Sequence, residues 1–463
     1  MWTGHGDTAT VTWLHTPENG RVRALVVLAP PAGLDHARSY RLLRQLAMLL
    51  AGAGYCVARV NYRGTGDSHS VHPHDDVVDL WVRNILDAAD QARAVCELEG
   101  LETYGIGYGV GAALTLRAAE HLDHVIAWEP ESGAEFVLRC ARRPEVSPDR
   151  GAERERVDLP GLRLTAEQTA RLCALVSPGA GGCGQHGVQV LRSSHRDRGP
   201  FDRGRELDEE PVHPDVLEDL LWALPRPPLQ PFAATGRGSV HNEFVAEPGR
   251  PCVEEIVAVE SRGHCGVLTA PSAPAPGSAD DASASKLPAV VLVGGRDGAR
   301  DERGLWPRVA RELAARGVVS LRADGDAAGD RVPLWQDHLL DPRGAGAARA
   351  VRDQVRWLGA RRPGSVVLVA AGEGAAPARQ LAGDPAVADV VLLGPSGRAT
   401  PTARRGSTAA DILSTVHGLW ERRPAPAPGS RRLRNEAGSS GILTGDAQER
   451  AVRELLALLA HRS

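Results

Sequence analysis

The residues with the clearest chemical meaning lie in a glycine-rich segment that begins at Thr103 and reads Thr-Tyr-Gly-Ile-Gly-Tyr-Gly-Val-Gly-Ala-Ala-Leu. Gly107, Gly109 and Gly111 have the spacing of G-x-S-x-G, a turn in which a strand bends into a helix and the central serine projects as a nucleophile. Glycine occupies the central place here, so no side chain can attack from it. The sequence predicts that the turn is kept without its nucleophile. A plain glycine-rich turn between a strand and a helix is the alternative.

Asp35 and His36 are the best candidates for acid and base chemistry near that turn. Histidine titrates near neutral pH, and beside a carboxylate it could move a proton without any covalent step. We therefore take both as candidate catalytic residues. The alternative is a pair at the tip of a loop, residues 32–38, that points into water.

Three histidines, His69, His72 and His74, precede two carboxylates, Asp75 and Asp76. Imidazole and carboxylate suit zinc and similar ions, so the histidines are weak candidate ligands. A proline between two of them and an evident helix start at the carboxylates favour a solvated N-terminal cap instead. We predict no metal site.

The elements that would position these groups alternate between strand and helix. Residues 21–31 predict a buried strand, Ser39–Ala53 a helix, Tyr55–Val60 a second strand and Asp75–Glu97 a second helix, and the glycine turn follows. Strands that alternate with helices form a doubly wound parallel sheet, and its active crevice lies at the carboxyl ends of the strands. The candidate residues follow those ends, so we expect them at one edge of the sheet.

Several segments together resemble the α/β-hydrolase superfamily. They are Pro30-Pro31, Arg63-Gly64-Thr65-Gly66-Asp67-Ser68, the glycine turn and Trp128-Glu129-Pro130, and within the superfamily they are most similar to the serine-aminopeptidase-like branch that includes the exosortase-associated hydrolases. Members hydrolyse esters, thioesters or peptides with a serine, an aspartate and a histidine. The resemblance implies that Ala32 and Gly33 occupy the oxyanion hole and Gly109 the place of the serine. No convincing acid or histidine follows, because His195 and Asp197 lie in a segment typical of a solvated loop.

The same likeness suggests further positions along the crevice. Tyr108 could instead pack beneath the turn, and Glu129 could cap the structure that follows. The full set of candidate crevice or substrate-binding positions is Ala32, Gly33, Arg63, Tyr108, Gly109, Glu129, Glu131, Gly372 and Glu373.

The second half of the chain repeats landmarks of the first. The pairs Gly54 and Gly317, Asn61 and Asp324, Gly66 and Gly329, and Gly109 and Gly372 all differ by 263 in residue number. We therefore predict two tandem α/β-hydrolase-like domains, each a mostly parallel doubly wound sheet flanked by helices with cap or loop segments. The first spans 1–251, with an irregular cap at about 141–251. The second is a shortened domain, 252–463, and also lacks a nucleophile.

Charge and apolar patterning exclude several partners. The chain has 54 basic and 58 acidic residues and a net charge of −4, which gives no general attraction to nucleic acid or anionic membrane. No apolar run reaches the roughly 20 residues of a membrane-spanning helix. The first residues lack a basic region followed by an apolar core, so we predict no secretory signal and a cytoplasmic protein.

Lysine and cysteine usage narrow the chemistry further. Lys286 is the only lysine, and it lies in a spacer rich in alanine, serine and aspartate that cannot hold a catalytic amine in place. Schiff-base, pyridoxal-phosphate and P-loop enzymes all need a positioned lysine, so we exclude them and predict no cofactor. The seven cysteines are scattered singly without a C-x-x-C pair, which indicates reduced thiols.

Two functions remain open. The first is a non-hydrolysing protein that binds a peptide or acyl substrate, or a partner enzyme in a hetero-oligomer, as a subunit in the maturation of bacterial peptide natural products. The second is a cofactor-independent acid/base enzyme, such as an epimerase, isomerase or lyase, that uses Asp35 and His36. An active hydrolase with a relocated serine or cysteine is the least favoured reading, because a nucleophile needs an adjacent base.

Overall fold

A computed structural model describes the chain in thirteen stretches, and every structural statement below concerns these residues alone. They are 1–141, 156–159, 162–177, 187–192, 214–232, 238–246, 249–259, 265–272, 288–294, 305–324, 345–362, 364 and 366–393. The candidate acid and base at Asp197 and His195 lie outside them.

The first large sheet has seven strands among the described residues, in the order β1-β2-β5-β4-β6-β7-β10. The first two strands run antiparallel to their neighbours and the other five are mutually parallel. The strands are β1 Trp2–Thr3, β2 Thr10–His15, β4 Leu25–Ala29, β5 Cys56–Asn61, β6 Thr103–Tyr108, β7 His124–Trp128 and β10 Val188–Leu191.

The second large sheet also has seven described strands, in the order β12-β13-β14-β16-β15-β17-β18. From its second strand onward, this order matches that of the first sheet up to β7. Three strands pair antiparallel and the other four are mutually parallel, so the sheet is mostly parallel, as the sequence predicts. The strands are β12 His241–Ala246, β13 Arg250–Ala258, β14 Cys265–Pro271, β15 Ala289–Val293, β16 Ser320–Ala323, β17 Val366–Ala371 and β18 Val387–Leu393.

Helices cover the sheets, which makes the fold mixed α/β with two large sheets. Two short strand pairs complete the described structure: β3 Arg21–Val22 with β11 Gln230–Pro231, and β8 Arg156–Leu159 with β9 Leu162–Thr165. The helices are α1 Leu34–Gly52, α2 Val77–Val95, α3 Val110–Arg117, α4 Gly133–Ala141, α5 Ala166–Cys173, α6 Pro214–Ala223, α7 Leu305–Ala315, α8 Ala345–Arg361 and α9 Ala375–Gln380. None of these helices combines the length and apolar character needed to cross a bilayer.

The core of the first sheet is two-sided, as its continuous apolar strands predict. Leu25, Val27 and Ala29 face α2 and α3, while Val26 and Leu28 face α1 and α6. A parallel strand that is buried on both faces needs apolar residues at successive positions. The hydrophobic effect on both faces therefore fixes the sheet that carries the glycine turn.

The predicted cap region contributes to both sheets. Strand β10 extends the first sheet, and α6 packs into its core through Leu217, Leu220 and Leu224. Strand β12 belongs to the second sheet and lies before residue 251. The domain boundary drawn from the sequence stays a prediction.

A buried group of charges joins the two sheets, centred on the carboxylate of Glu254 in β13. Arg311 of α7 donates to both of its oxygens at 3.0 to 3.2 Å. Arg322 of β16 donates to Oε1 at 2.8 Å and to the hydroxyl of Thr269 at 2.6 Å. Burial raises the pKa of Glu254, but the two guanidinium groups outweigh it and hold that pKa far below its usual range.

The same two arginines reach the turn that follows β5 in the first sheet. Arg322 Nε donates to Asp67 Oδ1 at 2.8 Å, and Arg311 donates to the backbone carbonyls of Asp67 at 2.7 Å and Ser68 at 3.3 Å. Two carboxylates therefore compensate two guanidinium groups in a region closed to water. We call Asp67, Glu254, Arg311 and Arg322 the inter-sheet charge cluster.

His69 adds a neutral imidazole to this contact. Its Nε2 lies 3.1 Å from Glu254 Oε2 and 3.1 Å from Asn242 Nδ2. The amide of Asn242 is itself fixed, because it accepts from Gly6 N at 2.9 Å and donates to Gly6 O at 3.0 Å. Burial, and then the charge of Arg311, lower the pKa of His69 to about 4 although Glu254 raises it.

We expect removal of one charge from the cluster to cost far more stability than loss of a surface ion pair. Arg322→Ala leaves buried carboxylates undercompensated and should lower the free energy of unfolding by about 3–5 kcal/mol. Arg316→Ala, which removes an exposed pair with Glu312, should change it by about 1 kcal/mol or less. Denaturant unfolding of both variants checks this, and equal losses would contradict the cluster's role.

The free energy of unfolding should also decrease as the pH decreases, because of His69. The unfolded imidazole takes up a proton below about pH 6.5, whereas the folded one does so only near pH 4. The unfolded state therefore binds more protons in this window, and the free energy of unfolding should fall by up to about 1.4 kcal/mol per pH unit from pH 6.5 downward. Unfolding between pH 6.5 and 5 should show a smaller slope for His69→Gln than for the native chain, and equal slopes would contradict the prediction.

Candidate active site

The predicted turn is present between β6 and α3. Gly109 follows Tyr108 with φ 59° and ψ −127° and immediately precedes Val110, the first residue of the helix. Its N–H donates to the carbonyl of Trp128 at 3.1 Å, and its carbonyl accepts from the N–H of Ala112 at 3.1 Å. The backbone thus takes a positive-φ conformation that glycine adopts freely and other residues adopt at a cost.

The glycines around the turn differ in how much room each has. A Cβ on Gly111 would lie 2.2 Å from Pro30 O, and a Cβ on Gly107 would lie 2.5 Å from the Cα of Ala112. A Cβ on Gly109 would meet Pro31 Cβ at 3.5 Å, an ordinary contact. The flanking glycines are therefore required by close packing, while the central place has space for a side chain that the sequence does not supply.

The second glycine turn is built differently. Gly372–Gly374 forms a 3₁₀ turn that leads from β17 into α9. Gly374 has φ −62°, and a Cβ there would lie 2.5 Å from Gly294 O, so it approaches the neighbouring strand end as Gly111 does. Glu373, between these glycines, is half-buried.

The loop after β4 meets the first turn. Gly33 has φ 62° and ψ −137°, nearly the conformation of Gly109, and α1 begins at the next residue. Ala32 is fully buried. The helix therefore starts five residues earlier than the sequence predicts, and the prediction that residues 32–38 form a loop is wrong for Asp35 and His36. A positive φ at glycine and an acidic side chain in the first turn both favour this earlier start.

Asp35 is fully buried and belongs to an ion-pair network at this edge of the sheet. Arg139 of α4 donates from Nη1 to Asp35 Oδ2 at 2.6 Å. It also binds both oxygens of Glu131, from Nε at 2.7 Å and from Nη2 at 2.6 Å. The N–H of Glu131 donates to Gly109 O at 3.2 Å, which places this network beside the turn. We call Asp35, Glu131 and Arg139 the crevice ion cluster.

Protonation in the crevice ion cluster follows from burial and charge. Burial raises the pKa of Glu131, although the hydrogen bond and charge of Arg139 lower it. Burial lowers the pKa of Arg139, but the bond to Glu131 and the charge of Asp35 outweigh it and raise that pKa. The arginine is therefore a permanent cation held between two carboxyl groups.

His36 points toward the end of β5 and is nearly as buried as Asp35. Its Nε2 lies 3.2 Å from Asn61 Oδ1, and its ring meets that of Tyr40 edge-on, with the centroids 6.4 Å apart. The expectation that the pair points into water is wrong, because both side chains have buried protein partners. Asp35 and His36 nevertheless lie in one helical turn at the carboxyl edge of the sheet.

Arg63 organises its own turn. Its guanidinium donates to Ser70 O at 2.7 Å and lies 3.3 Å from Asp75, and its N–H donates to Asn84 Oδ1 at 3.1 Å. Burial lowers the pKa of Arg63, whereas the charge of Asp75 raises it. These contacts shape the loop that contains Asp67, the first residue of the inter-sheet charge cluster.

Tyr108 takes the buried position of its alternative prediction, and Glu129 is marked by its backbone conformation. Tyr108 is buried and stacks on Trp128 with ring centroids 4.2 Å apart, beneath the turn. Glu129 has φ 45°, an uncommon conformation for a residue with a side chain, and its N–H donates to Leu191 O at 2.9 Å. Backbone strain of this kind costs about 1–3 kcal/mol and is frequent near functional sites.

The three histidines of the loop before α2 do not converge. His69 lies in the contact between the two sheets, His72 Nε2 lies 3.4 Å from Asp7, and His74 is exposed. The described part of the chain contains no group of three or more histidine, cysteine, aspartate or glutamate side chains arranged to hold a metal ion.

Part of the chain is similar to solved structures. An α/β serine hydrolase homologue from Coxiella burnetii is 16% identical, with a TM-score of 0.25 over 28% of this chain and 62% of its own. A lidless α/β serine hydrolase from Xanthomonas campestris is 21% identical, with a TM-score of 0.25 over 28% and 60%. Est1E from Butyrivibrio proteoclasticus, bound to ferulic acid, is 17% identical, with a TM-score of 0.29 over 38% and 71%.

The chain spans about 60% of the length of the first two of these structures. No family model and no curated protein matches the chain. The similarity therefore covers only part of this chain and part of each solved structure.

The room around each glycine predicts how substitution affects folding. Gly111→Ala places a methyl group against backbone carbonyls and should lower the free energy of unfolding by about 3 kcal/mol or more. Gly109→Ala makes only an ordinary contact with Pro31 and should cost the positive-φ penalty alone, about 1–3 kcal/mol. Denaturant unfolding of the two variants measures both values. A larger loss for Gly109→Ala would contradict the packing described here.

Proposed function

We propose that this chain is a non-hydrolysing α/β-hydrolase-like protein with two tandem domains that binds a peptide or acyl group, a partner enzyme, or both. We further propose that it acts as a subunit in the maturation of a bacterial peptide natural product. The observation that carries the proposal is Gly109. The turn that presents a nucleophile keeps its positive φ and its close-packed neighbours, yet no side chain projects from it.

The crevice ion cluster supports the same proposal. A hydrolase needs a base that can take a proton from its nucleophile. Beside Gly109, the carboxylate of Glu131 is instead held by two hydrogen bonds from Arg139, and Asp35 is held by a third. These groups stabilise the edge of the sheet and keep α4 against it, which suits a binding site better than a site of proton transfer.

Exposed apolar side chains near the cluster suit a peptide or acyl ligand. Leu138, next to Arg139 on α4, is 57% exposed, and Val176 is 78% exposed. The segment before Val176 is joined to the start of α4, because Gly133 N donates to Leu175 O at 2.9 Å. Sites that bind small ligands combine apolar side chains with a few placed polar groups, and both kinds of side chain occur here.

An acid/base enzyme is the second candidate, and the placement of Asp35, His36 and Glu131 at one sheet edge favours it. The buried contacts of these residues make alanine variants unsuitable, so His36→Gln is the better probe. A variant that binds its substrate normally but loses a chemical product would favour the enzyme. Unchanged product formation would favour the binding protein.

The proposal predicts binding without turnover at Gly109. The native chain should not hydrolyse p-nitrophenyl acetate or octanoate above the rate in buffer. It should bind octanoate in calorimetry, and Gly109→Leu should abolish that binding because its side chain fills the space above the turn. Gly109→Ala shares the positive-φ strain but not the bulk, so it serves as the matched control and should lose roughly threefold or less in affinity.

Three outcomes count against the proposal. Turnover of either ester by the native chain would show a working nucleophile elsewhere. Absence of octanoate binding by the native chain would remove the acyl ligand, and equal binding by Gly109→Leu would place the ligand away from the turn. Circular dichroism of each variant confirms that the fold is retained.

A further inference from the structure

Two cysteines that the sequence presents as scattered thiols lie together in the core of the first sheet. Cys56 is the first residue of β5, and Cys96 follows the last residue of α2. Their sulfur atoms are 3.6 Å apart, and both residues are at most 1% exposed. A disulfide needs an S–S distance of about 2.05 Å, so an approach of roughly 1.5 Å would join them.

The end of α2 beside Cys96 is strained. Glu97 has φ 50° in the position after the helix where glycine is usual. Leu98 N donates back to Arg93 O at 2.9 Å and Cys96 N to Ala92 O at 3.0 Å, which closes the last turn. Because Glu97 and the nearby Gly100 are exposed to water, opening of this turn would bring Cys96 to the surface.

We propose that Cys56 and Cys96 are a redox-active dithiol, which a hydroperoxide reaches through the opened last turn of α2 and converts into an intramolecular disulfide. The hydrogen bond donated by the Cys56 thiol lowers the pKa of Cys96. Cys96 is the sulfur that reacts first, because it borders the turn that opens whereas Cys56 lies in the sheet, and its thiolate is the nucleophile in such reactions. This dithiol is separate from the crevice and does not depend on the proposed function.

The reaction balances in two steps. The Cys96 thiolate attacks the peroxide oxygen, the O–O bond breaks, and a sulfenic acid forms with release of water or an alcohol. The Cys56 sulfur then attacks the sulfenic sulfur, its proton leaves with the hydroxyl group as water, and the S–S bond forms. The two thiols lose two electrons and two protons in total, and the hydroperoxide is the species reduced.

The test treats the reduced full-length chain with hydrogen peroxide, blocks the remaining thiols by alkylation, and maps non-reduced peptides by mass spectrometry. We expect a peptide pair joined through Cys56 and Cys96 that a phosphine separates. Cys56→Ala and Cys96→Ala should each abolish it. Cys252→Ala, which removes a buried thiol of the second sheet, should leave it unchanged.

A second variant tests the route of access. Glu97→Gly relieves the positive-φ strain and should keep the last turn of α2 closed, which slows cross-linking roughly fivefold. If Glu97→Gly cross-links as fast as the native chain or faster, the peroxide does not enter through the last turn of α2. Recovery of both cysteines as free thiols, as sulfinic acids, or joined to other cysteines in the native chain would overturn the dithiol itself, and this readout needs no variant to fold.

Discussion

The carboxylate of Glu254 is the point on which the two halves of the molecule depend. It is fully buried, so its charge is tolerated only because Arg311 and Arg322 lie against it. Those guanidinium groups also bind Asp67 and the backbone beside it. Arg311 and Arg322 therefore hold the turn after β5, which also contains Arg63, against the second half of the chain.

At the glycine turn, the close-packed positions are not the position from which a side chain would react. Gly107 and Gly111 are required by the neighbouring backbone, and this requirement does not depend on which residue occupies the central position. Gly109 is free of that constraint and keeps only the backbone conformation. Around it, carboxyl groups that could handle protons are paired with Arg139. The turn is compatible with binding alone, because a fold does not by itself specify a reaction.

The sequence predicted the parts of the site that depend on local backbone. Glycine spacing indicated the turn at Gly109, and apolar periodicity indicated α2 within two residues at each end. It misplaced the start of α1 because the signal lies in the positive φ of Gly33, which a loop also permits. Arg139 was missed altogether, since one arginine in a short helix has no pattern that marks its partners eight and 104 residues away.

The sequence by itself determined the alternation of strand and helix, the absence of a nucleophile at Gly109 and the matching landmarks of the two halves, because these follow from residue type and spacing. Only the tertiary structure decided which charged groups and which thiols lie next to each other. Asp67 and Arg322 are 255 residues apart, and Cys56 and Cys96 are 40 apart. Such pairs are selected by the packing of sheets and helices, and burial gives each contact its strength by excluding the water that would screen it.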